Sequence, residues 1–190
     1  MKNEMSVAVL CAAVRSVYFG LPGVDVYNLR RNAYSFKGGM PVIAHPPCRL
    51  WSVRVSHQAK CSDPESERNL GFWCVTQVKR YGGILEQPAF SRLFMAAGLP
   101  LPGGSISVDG FSISVYQFWW GHQVSKPTWL FISGADSLPA IPFRLLGQET
   151  KWKNLSQTQR SATPLLFAKW LLEVARRCSK KGDVGLRVRS

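Results

Sequence analysis

The sequence has no apolar run approaching the roughly 20 residues that a membrane-spanning helix needs. Of its 190 residues, 46% are hydrophobic and 12% are aromatic, which is typical of a globular protein with a substantial core. We find neither an internal repeat nor a composition shift that would mark a second domain. We therefore predict a single catalytic-like domain over residues 1–178, followed by a basic flexible tail over 179–190.

Cysteines are few, dispersed and odd in number, five in all. This pattern argues against a disulfide framework and favours reduced thiols in a cytoplasm. Zinc is an alternative use for some of them, because His45, Cys48, His57 and Cys61 combine imidazole and thiolate ligands at short spacings. The spacing matches no familiar zinc finger, and we expect no metal. If zinc were bound, Cys48 would be a ligand and could not act as a nucleophile.

Acidic residues are also scarce: 11 Asp and Glu stand against 24 Lys and Arg, giving a net charge of +13. Such an excess favours a polyanionic partner, because cationic side chains release counterions from a phosphate backbone. DNA, double- or single-stranded, is the partner we expect first, with no membrane partner. The alternative is a basic protein whose charges are merely solvated.

Short apolar runs predict buried strands at residues 6–11, 41–44 and 129–132. Between them, residues 62–83 predict a helix that Asp63 caps, that Pro64 opens and that Gly82-Gly83 ends. Strand, helix and strand in this order form a βαβ unit, which favours a parallel sheet. We therefore predict an α/β fold: a Rossmann-like, mostly parallel sheet with flanking helices.

Two further segments lack regular patterns, a Pro- and Gly-rich loop at 99–110 and an irregular stretch at 139–159. A last helix is predicted to open at Thr163-Pro164. Its expected apolar face consists of Leu165, Ala168, Leu171, Leu172, Ala175 and Cys178.

Two reactive side chains follow predicted strands directly. Val42-Ile43-Ala44 leads into His45-Pro46-Pro47-Cys48, and Ile84-Leu85 leads into Glu86-Gln87-Pro88. In open α/β sheets, ligands bind outside the carboxyl ends of the strands. A thiol and a carboxylate brought to that edge would form an active-site pair.

Each member of the pair has an active and an inert interpretation. Cys48 is a nucleophile if positive charge, for which Arg49 and Arg54 are candidates, lowers its pKa; otherwise it is an inert buried cysteine. Burial would raise the pKa of Glu86 and make it a general acid. The alternative for Glu86 is a solvated residue at a strand end.

These motifs carry a family resemblance. Pro46-Pro47-Cys48 resembles the Pro-Cys nucleophile loop of DNA cytosine-5 methyltransferases, and Leu85-Glu86-Gln87-Pro88 resembles their Glu-Asn motif, with Gln87 in place of Asn. The resemblance implies that Cys48 attacks carbon 6 of a flipped-out cytosine, while Glu86 contacts ring nitrogen 3 and assists protonation. It also implies S-adenosylmethionine as cofactor, with Asp25 as the acid for its ribose.

The sequence departs from that family at the cofactor. Cys11-Ala12-Ala13-Val14-Arg15 stands where the methyltransferases have a Gly-rich turn, and their large target-recognition domain has no counterpart here. The chain is also similar to a group of small phage-encoded, methyltransferase-like proteins. They share the His-Pro-Pro-Cys loop and a later Gly-His…Lys-Pro-Thr segment, here Gly121-His122 to Lys126-Pro127-Thr128.

We predict that the nucleic acid is contacted beside these motifs and on a basic surface. The expected contact residues are His45, Arg49, Arg54, Gln87, His122, Lys126, Lys151, Lys153 and Arg160. The alternatives are a structural hydrogen bond for His122 and a solvated face for the basic residues. An aromatic cluster, with Tyr116, Phe118, Trp119 and Trp120, could stack bases, although aromatic side chains more often belong to a core.

The sequence therefore leads to two functional hypotheses. The first is a phage DNA cytosine C5-modifying enzyme, a methyltransferase-like transferase with Cys48 as nucleophile and Glu86 as acid. The second is a non-enzymatic protein on a degenerate methyltransferase scaffold, either a nucleic-acid binder or an anti-defence protein (for example an anti-CRISPR) that blocks a host defence complex.

Overall fold

The structure, a computed structural model, describes residues 6–53, 61–143, 150 and 152–178. Its centre is one six-stranded sheet with the strand order β2-β1-β3-β4-β6-β5. In chain order the strands are β1 (Val7–Ala12), β2 (Val24–Asn28), β3 (Val42–Ala44), β4 (Gly83–Pro88), β5 (Phe111–Tyr116) and β6 (Pro127–Ser133). The α-helices are α1 (Pro64–Tyr81), α2 (Arg92–Ala96), α3 (Gln157–Ser161) and α4 (Leu165–Arg177).

The sheet is mixed. β1 pairs in parallel with β2 and β3, and β3 pairs in parallel with β4. β6 runs antiparallel to both of its neighbours, β4 and β5. The predicted α/β class is confirmed, but the sheet is less uniformly parallel than expected. The reason is the short connection over residues 117–126, because a parallel crossover needs a dozen or more residues while an antiparallel return does not.

The direction in which strands are added reverses beside β1. The chain moves from β1 to β2 on one side, then crosses back to place β3 and β4 on the other side. Such a reversal opens a crevice at the carboxyl ends of the two central strands. The loops that follow β1 and β3 therefore flank the position where ligands bind in sheets of this type.

The long helix α1 begins and ends as its sequence predicts. Asp63 Oδ1 accepts a hydrogen bond from the Ser66 amide at 3.0 Å, and Pro64 occupies the first helical turn. The helix ends before Gly82, whose φ is 77°. Gly83 follows with φ 127°, and a Cβ there would lie 1.9 Å from the Val42 carbonyl oxygen. Only glycine therefore lets β4 start this close to β3.

The two faces of the sheet are covered by different helices. One core packs α1 against Ala8, Leu10, Val42, Ala44 and Leu85, and the other packs α4 against Val7, Val9, Ile43 and Ile84. Both sets alternate along their strands, as the two-residue side-chain period requires. The result is a three-layer arrangement with α1 and α4 on opposite faces.

Three details differ from the sequence prediction. Leu165, assigned to the apolar face of α4, is 47% exposed, while Phe167, Trp170 and Val174 of the same helix are buried. The short helix α3 lies at the end of the stretch predicted to be irregular. Strand β5 was not predicted, although Phe111, Ile113 and Val115 alternate with smaller or polar residues. Residues 179–190, the predicted tail, lie outside the described part of the chain.

None of the described helices is both long and apolar enough to span a bilayer.

Candidate active site

His45 and Glu86 lie side by side at the carboxyl ends of β3 and β4. The strands are in register with Ala44 opposite Leu85, so the next residue of each chain reaches the same level of the sheet. His45 Nδ1 and Glu86 Oε2 are 2.9 Å apart, and the two side chains are 12% and 16% exposed. The sequence prediction paired Cys48 with Glu86 at this edge; in the structure the direct hydrogen-bond partner of Glu86 is His45.

Tyr18 fixes the other side of the imidazole. It belongs to a short 3-10 turn after β1, is 1% exposed, and places its hydroxyl 3.1 Å from His45 Nε2. Burial, and next the charge of Glu86, raise the pKa of Tyr18 well above its ordinary value. Tyr18 therefore remains a phenol, and its hydroxyl holds the His45 ring in place beside Glu86.

A buried amide holds the second carboxylate oxygen. Gln117 Nε2 donates to Glu86 Oε1 and to Thr128 Oγ1, each at 3.1 Å. Thr128 Oγ1 donates onward to the Lys126 carbonyl oxygen at 3.0 Å. Gln117 and Thr128 are each 1% exposed. The Glu86 carboxylate is thus held from both sides, by His45 directly after β3 and by Gln117 directly after β5.

Glu86 is ionised at neutral pH. Burial raises its pKa, but the hydrogen bond and charge of His45 and the charge of Lys126 outweigh burial and bring the pKa below its ordinary value. The sequence prediction considered burial alone and expected a raised pKa and a general acid. The structure instead makes Glu86 a hydrogen-bond acceptor, because its cationic and donor neighbours come from distant positions in the chain.

Cys48 lies within electrostatic range of the same group. Burial and then the charge of Glu86 raise its pKa, and the charge of Lys126 offsets this only in part. From the sequence, Arg49 and Arg54 were candidate charges that could lower this pKa. Arg49 instead donates from Nε to Glu67 Oε2 at 2.8 Å, and Arg54 lies outside the described residues. Cys48 is therefore a thiol at neutral pH and needs a base to become a thiolate.

Lys126 is the cation that faces both Cys48 and Glu86. Its ammonium donates to the carbonyl oxygens of Ala162 at 2.8 Å and Ser161 at 3.3 Å. Burial lowers its pKa, whereas Glu86 and Cys48 act in the opposite direction. This places one predicted contact residue, Lys126, inside the candidate site.

The loop that carries Cys48 is held firmly. The Cys48 carbonyl oxygen accepts from the amides of Trp51 at 3.0 Å and Ser52 at 2.7 Å. Gln87 Nε2 donates to the Pro46 carbonyl oxygen at 2.7 Å, and Gln87 Oε1 accepts from Ser91 at 3.1 Å. Gln87, predicted to contact substrate, is 1% exposed. Its contacts position the Pro-Pro-Cys loop.

The remaining predicted contact residues lie apart from Glu86. His122 is 6% exposed, and its Nδ1 lies 3.1 Å from the Val124 carbonyl oxygen in a local turn. Arg160 lies over the Trp152 ring and donates to the Trp152 carbonyl oxygen at 3.2 Å. Lys153 is exposed in the turn beside it. Lys151 lies outside the described residues.

The predicted cofactor residue is not brought to the site. Asp25 pairs with Ala8, which pairs with Val42 at the start of β3, so Asp25 lies several residues below the edge that carries His45. Its carboxylate forms an ion pair with Arg31 and accepts from the Tyr27 hydroxyl at 2.9 Å. With no glycine between Cys11 and Arg15 either, these residues do not fit the cradle of S-adenosylmethionine.

The structure gives no support to a zinc site in the part that it describes. No group of three or more His, Cys, Asp and Glu side chains is placed to hold a metal in residues 6–53, 61–143, 150 and 152–178. Both ring nitrogens of His45 are engaged by Tyr18 and Glu86. His57, one of the four candidate ligands, lies outside these ranges.

Two surface cavities of the described chain lie elsewhere. One is lined by Gly121, His122, Gln123, Gln159, Ala162 and Pro164, and the other by Leu21, Pro22, Lys169, Leu172, Glu173 and Arg176. Neither is lined by Cys48 or Glu86. The candidate site is therefore a cluster at the sheet edge and does not open into either of these cavities.

Sequence reasoning missed Tyr18 and Gln117. Tyr18 follows β1 in a polar stretch without a motif, and nothing in the sequence signals its contact with His45. Gln117 had an indirect signal, because the alternation before it indicates a strand that would end beside it.

Comparison with known proteins adds no relative. No protein-family model matches the chain, and no curated protein or solved structure is significantly similar to it.

Proposed function

We propose that the protein acts on pyrimidine bases of DNA by covalent addition of the Cys48 sulfur to carbon 6 of the ring. The observation that carries the proposal is the shared site at the sheet edge. There Glu86 is hydrogen-bonded to His45 at 2.9 Å, and Cys48 is close enough for the Glu86 charge to raise its pKa. A nucleophile beside a fixed carboxylate and an imidazole is the arrangement that such an addition needs.

The addition balances without any further reactant. Water takes the Cys48 proton, the S–C6 bond forms as the C5–C6 double bond breaks, and carbon 5 takes up a proton from solvent. The ionised Glu86 accepts a hydrogen bond from an amino or ring N–H group of the base and so holds it against the sulfur. Reversal of the step restores the base, and carbon 5 then retains either its own hydrogen or one taken from solvent.

The charge distribution at this edge supports DNA as the substrate. Arg15, Arg30 and Arg49 occupy the loops directly after β1, β2 and β3, and all three loops are at the carboxyl ends of parallel strands. Arg15 and Arg30 are exposed. A phosphate backbone lying across this edge would bring bases to Cys48 and Glu86. A base held there has to leave its stack, as enzymes that modify bases require.

Hydrogen exchange at carbon 5 tests this proposal without a group donor. A cytosine-containing single-stranded oligonucleotide is incubated with the protein in D2O, and deuterium at carbon 5 is followed by NMR. We expect exchange with the native protein, none with Cys48→Ala, and a loss of about 100-fold with Glu86→Gln, which keeps the shape but removes the charge. Cys61→Ser is the matched control and should exchange like the native protein.

A non-enzymatic nucleic-acid binder is the second candidate. Two observations favour it: the raised pKa of Cys48, and the position of both described cavities away from Cys48 and Glu86. The same experiment separates the two functions. Tight binding of the oligonucleotide by the native protein with no exchange at carbon 5 would contradict the enzyme and support the binder.

A further inference from the structure

Cys11 and Cys74 form a close pair of thiols outside the Cys48–Glu86 cluster. They are 63 positions apart in the chain, yet their Sγ atoms are 3.7 Å apart. Cys11 lies near the carboxyl end of β1, and Cys74 lies in the middle of α1. Both are free thiols. A disulfide requires this separation to shorten to about 2.05 Å.

The backbone at Cys11 is unusual. Its φ is 59°, a left-handed value that a non-glycine residue adopts at a cost. The pairing of β1 with β2 shifts register between Leu10 and Ala12, so Cys11 is the extra residue of a bulge. At this bulge the Cys11 sulfur contacts the Cys74 sulfur of α1. Cys11 itself has no partner in the pairing of β1 with β2 or β3.

The two thiols differ in access to solvent. Cys11 is partly exposed, whereas Cys74 is fully buried. The hydrogen bond with Cys11 and then burial raise the pKa of Cys74 well above its ordinary value. A dissolved oxidant therefore meets Cys11 first, and Cys74 is the group within reach to complete a disulfide.

We propose that Cys11 and Cys74 are a redox-active pair that forms an intramolecular disulfide with a peroxide. The Cys11 sulfur attacks the peroxide, the O–O bond breaks, and one water or alcohol leaves as a sulfenic acid forms. The Cys74 sulfur then attacks the Cys11 sulfur, the S–O bond breaks, and water leaves. Both thiols lose their hydrogens, and their two electrons reduce the peroxide.

The disulfide would act on the sheet edge that carries the candidate site. The His45 amide donates to the Leu10 carbonyl oxygen at 3.0 Å, directly before Cys11. A covalent bond from the bulge to α1 would fix the end of β1 beside His45. Formation of the disulfide does not depend on the proposed function; only an effect on base chemistry rests on it.

Peroxide titration of the full-length protein tests the proposal. The protein is treated with hydrogen peroxide, quenched with N-ethylmaleimide, and analysed by intact mass and peptide mapping. We expect a mass loss of about 2 Da, from two hydrogens, together with one cross-linked peptide pair that joins Cys11 to Cys74. Dithiothreitol should reverse both changes.

Cysteine variants show which two residues form the disulfide, and each variant is checked for folding. Cys11→Ser and Cys74→Ala should each abolish the cross-link, while the control Cys61→Ser should retain it. Circular dichroism verifies that each variant is folded, and Cys11→Ser is the decisive variant because its side chain is partly exposed. Oxidation of native Cys11 to sulfinic acid without a cross-link, or a disulfide that joins other cysteines, would overturn the proposal.

The deuterium exchange assay keeps this test separate from the proposed function. If the native protein forms the Cys11–Cys74 disulfide but shows no exchange in either redox state, the disulfide stands and the proposed function fails. If exchange occurs and no disulfide forms, the proposed function stands and the redox pair fails.

Discussion

At the scale of single residues, the charge of the site is set by contacts across the fold. Tyr18 holds His45, and Gln117 holds Glu86. Lys126, directly before β6, adds a cation. The carboxylate stays ionised because the hydrogen bond and charge of His45 and the charge of Lys126 outweigh its burial. The cysteine near it stays protonated because burial, and next the charge of the same carboxylate, raise its pKa.

Replacement of Glu86 by Gln should remove a pH-dependent part of the protein's stability. Since the folded pKa of Glu86 lies below the ordinary value of 4.5, its ionised form stabilises the fold above that pH. This contribution is lost as the pH falls through the folded pKa. We expect Glu86→Gln to lower the free energy of unfolding by about 2 kcal/mol at pH 7. This deficit should shrink as the pH falls below the ordinary pKa of 4.5 and through the folded pKa of Glu86.

Urea unfolding of both proteins at a series of pH values measures this difference. Glu173→Gln is the control, because its partner Arg177 lies on the same exposed helix face. The control should change stability by less than about 0.5 kcal/mol at every pH. A Glu86→Gln deficit that stays constant from neutral to acid pH would mean that the carboxylate is not selectively stabilised in its ionised form.

At the scale of elements, α1 supports the loop that presents Cys48. Trp51 is 6% exposed and lies against α1 at Gly71, while its carbonyl oxygen accepts from the Arg92 amide at 2.8 Å. A Cβ at Gly71 would lie 2.8 Å from Trp51 Nε1. The helix therefore has a glycine where the indole needs the space, although glycine weakens a helix interior.

Replacement of Gly71 by Ala should destabilise the protein despite its better helix propensity. The buried indole has to move, and overpacking of this kind costs about 1–3 kcal/mol. Because the Trp51 amide donates to the Cys48 carbonyl oxygen, deuterium exchange at carbon 5 should fall as well. Urea unfolding and the exchange assay measure the two effects.

Gly20→Ala is the matched control for this substitution. A Cβ at Gly20 meets no atom within 4 Å. The Gly20→Ala variant should therefore differ in stability from the native protein by less than about 0.5 kcal/mol. If Gly71→Ala were as stable as the native protein, or more stable, Trp51 would not be tightly held against α1.

At the scale of the whole molecule, the two edges of the sheet differ in what they offer a polyanion. Arg15 and Arg30 follow β1 and β2 at the carboxyl edge. Lys37 lies at the opposite edge, since the neighbouring Gly38 lies against Tyr81 at the end of α1. A net charge of +13 acts on a polyanion from any direction, but under the proposed function only the carboxyl edge would bring DNA to Glu86.

Binding of a single-stranded oligonucleotide should weaken steeply with salt, because phosphate contacts release counterions. Arg15→Ala should reduce the slope of log K against log salt by about 1. Lys37→Ala removes an exposed cation at the other edge and should leave the slope nearly unchanged. Fluorescence anisotropy at several salt concentrations measures both, and equal effects of the two substitutions would place the DNA elsewhere.

The sequence by itself determined one helix and two core strands, because interactions between neighbouring residues define them. The cap at Asp63, the proline at Pro64 and the glycines after Tyr81 define α1 because they act on adjacent backbone groups. The apolar runs at 6–11 and 41–44 define two core strands for the same reason. The sequence also predicted Cys48 and Glu86 at one edge of the sheet, because parallel strands joined by a helix end on the same side.

Only the tertiary structure decided how those groups are charged and held. The partners Tyr18, Gln117 and Lys126 come from segments far apart in the chain, whose contacts no local pattern encodes. From its position in the sequence, Arg49 was a candidate charge beside Cys48. In the structure its guanidinium binds Glu67 of α1, a contact that depends on how the loop packs against that helix. Electrostatics act through space, and the pKa values of Glu86 and Cys48 therefore follow from the fold and not from their neighbours in the sequence.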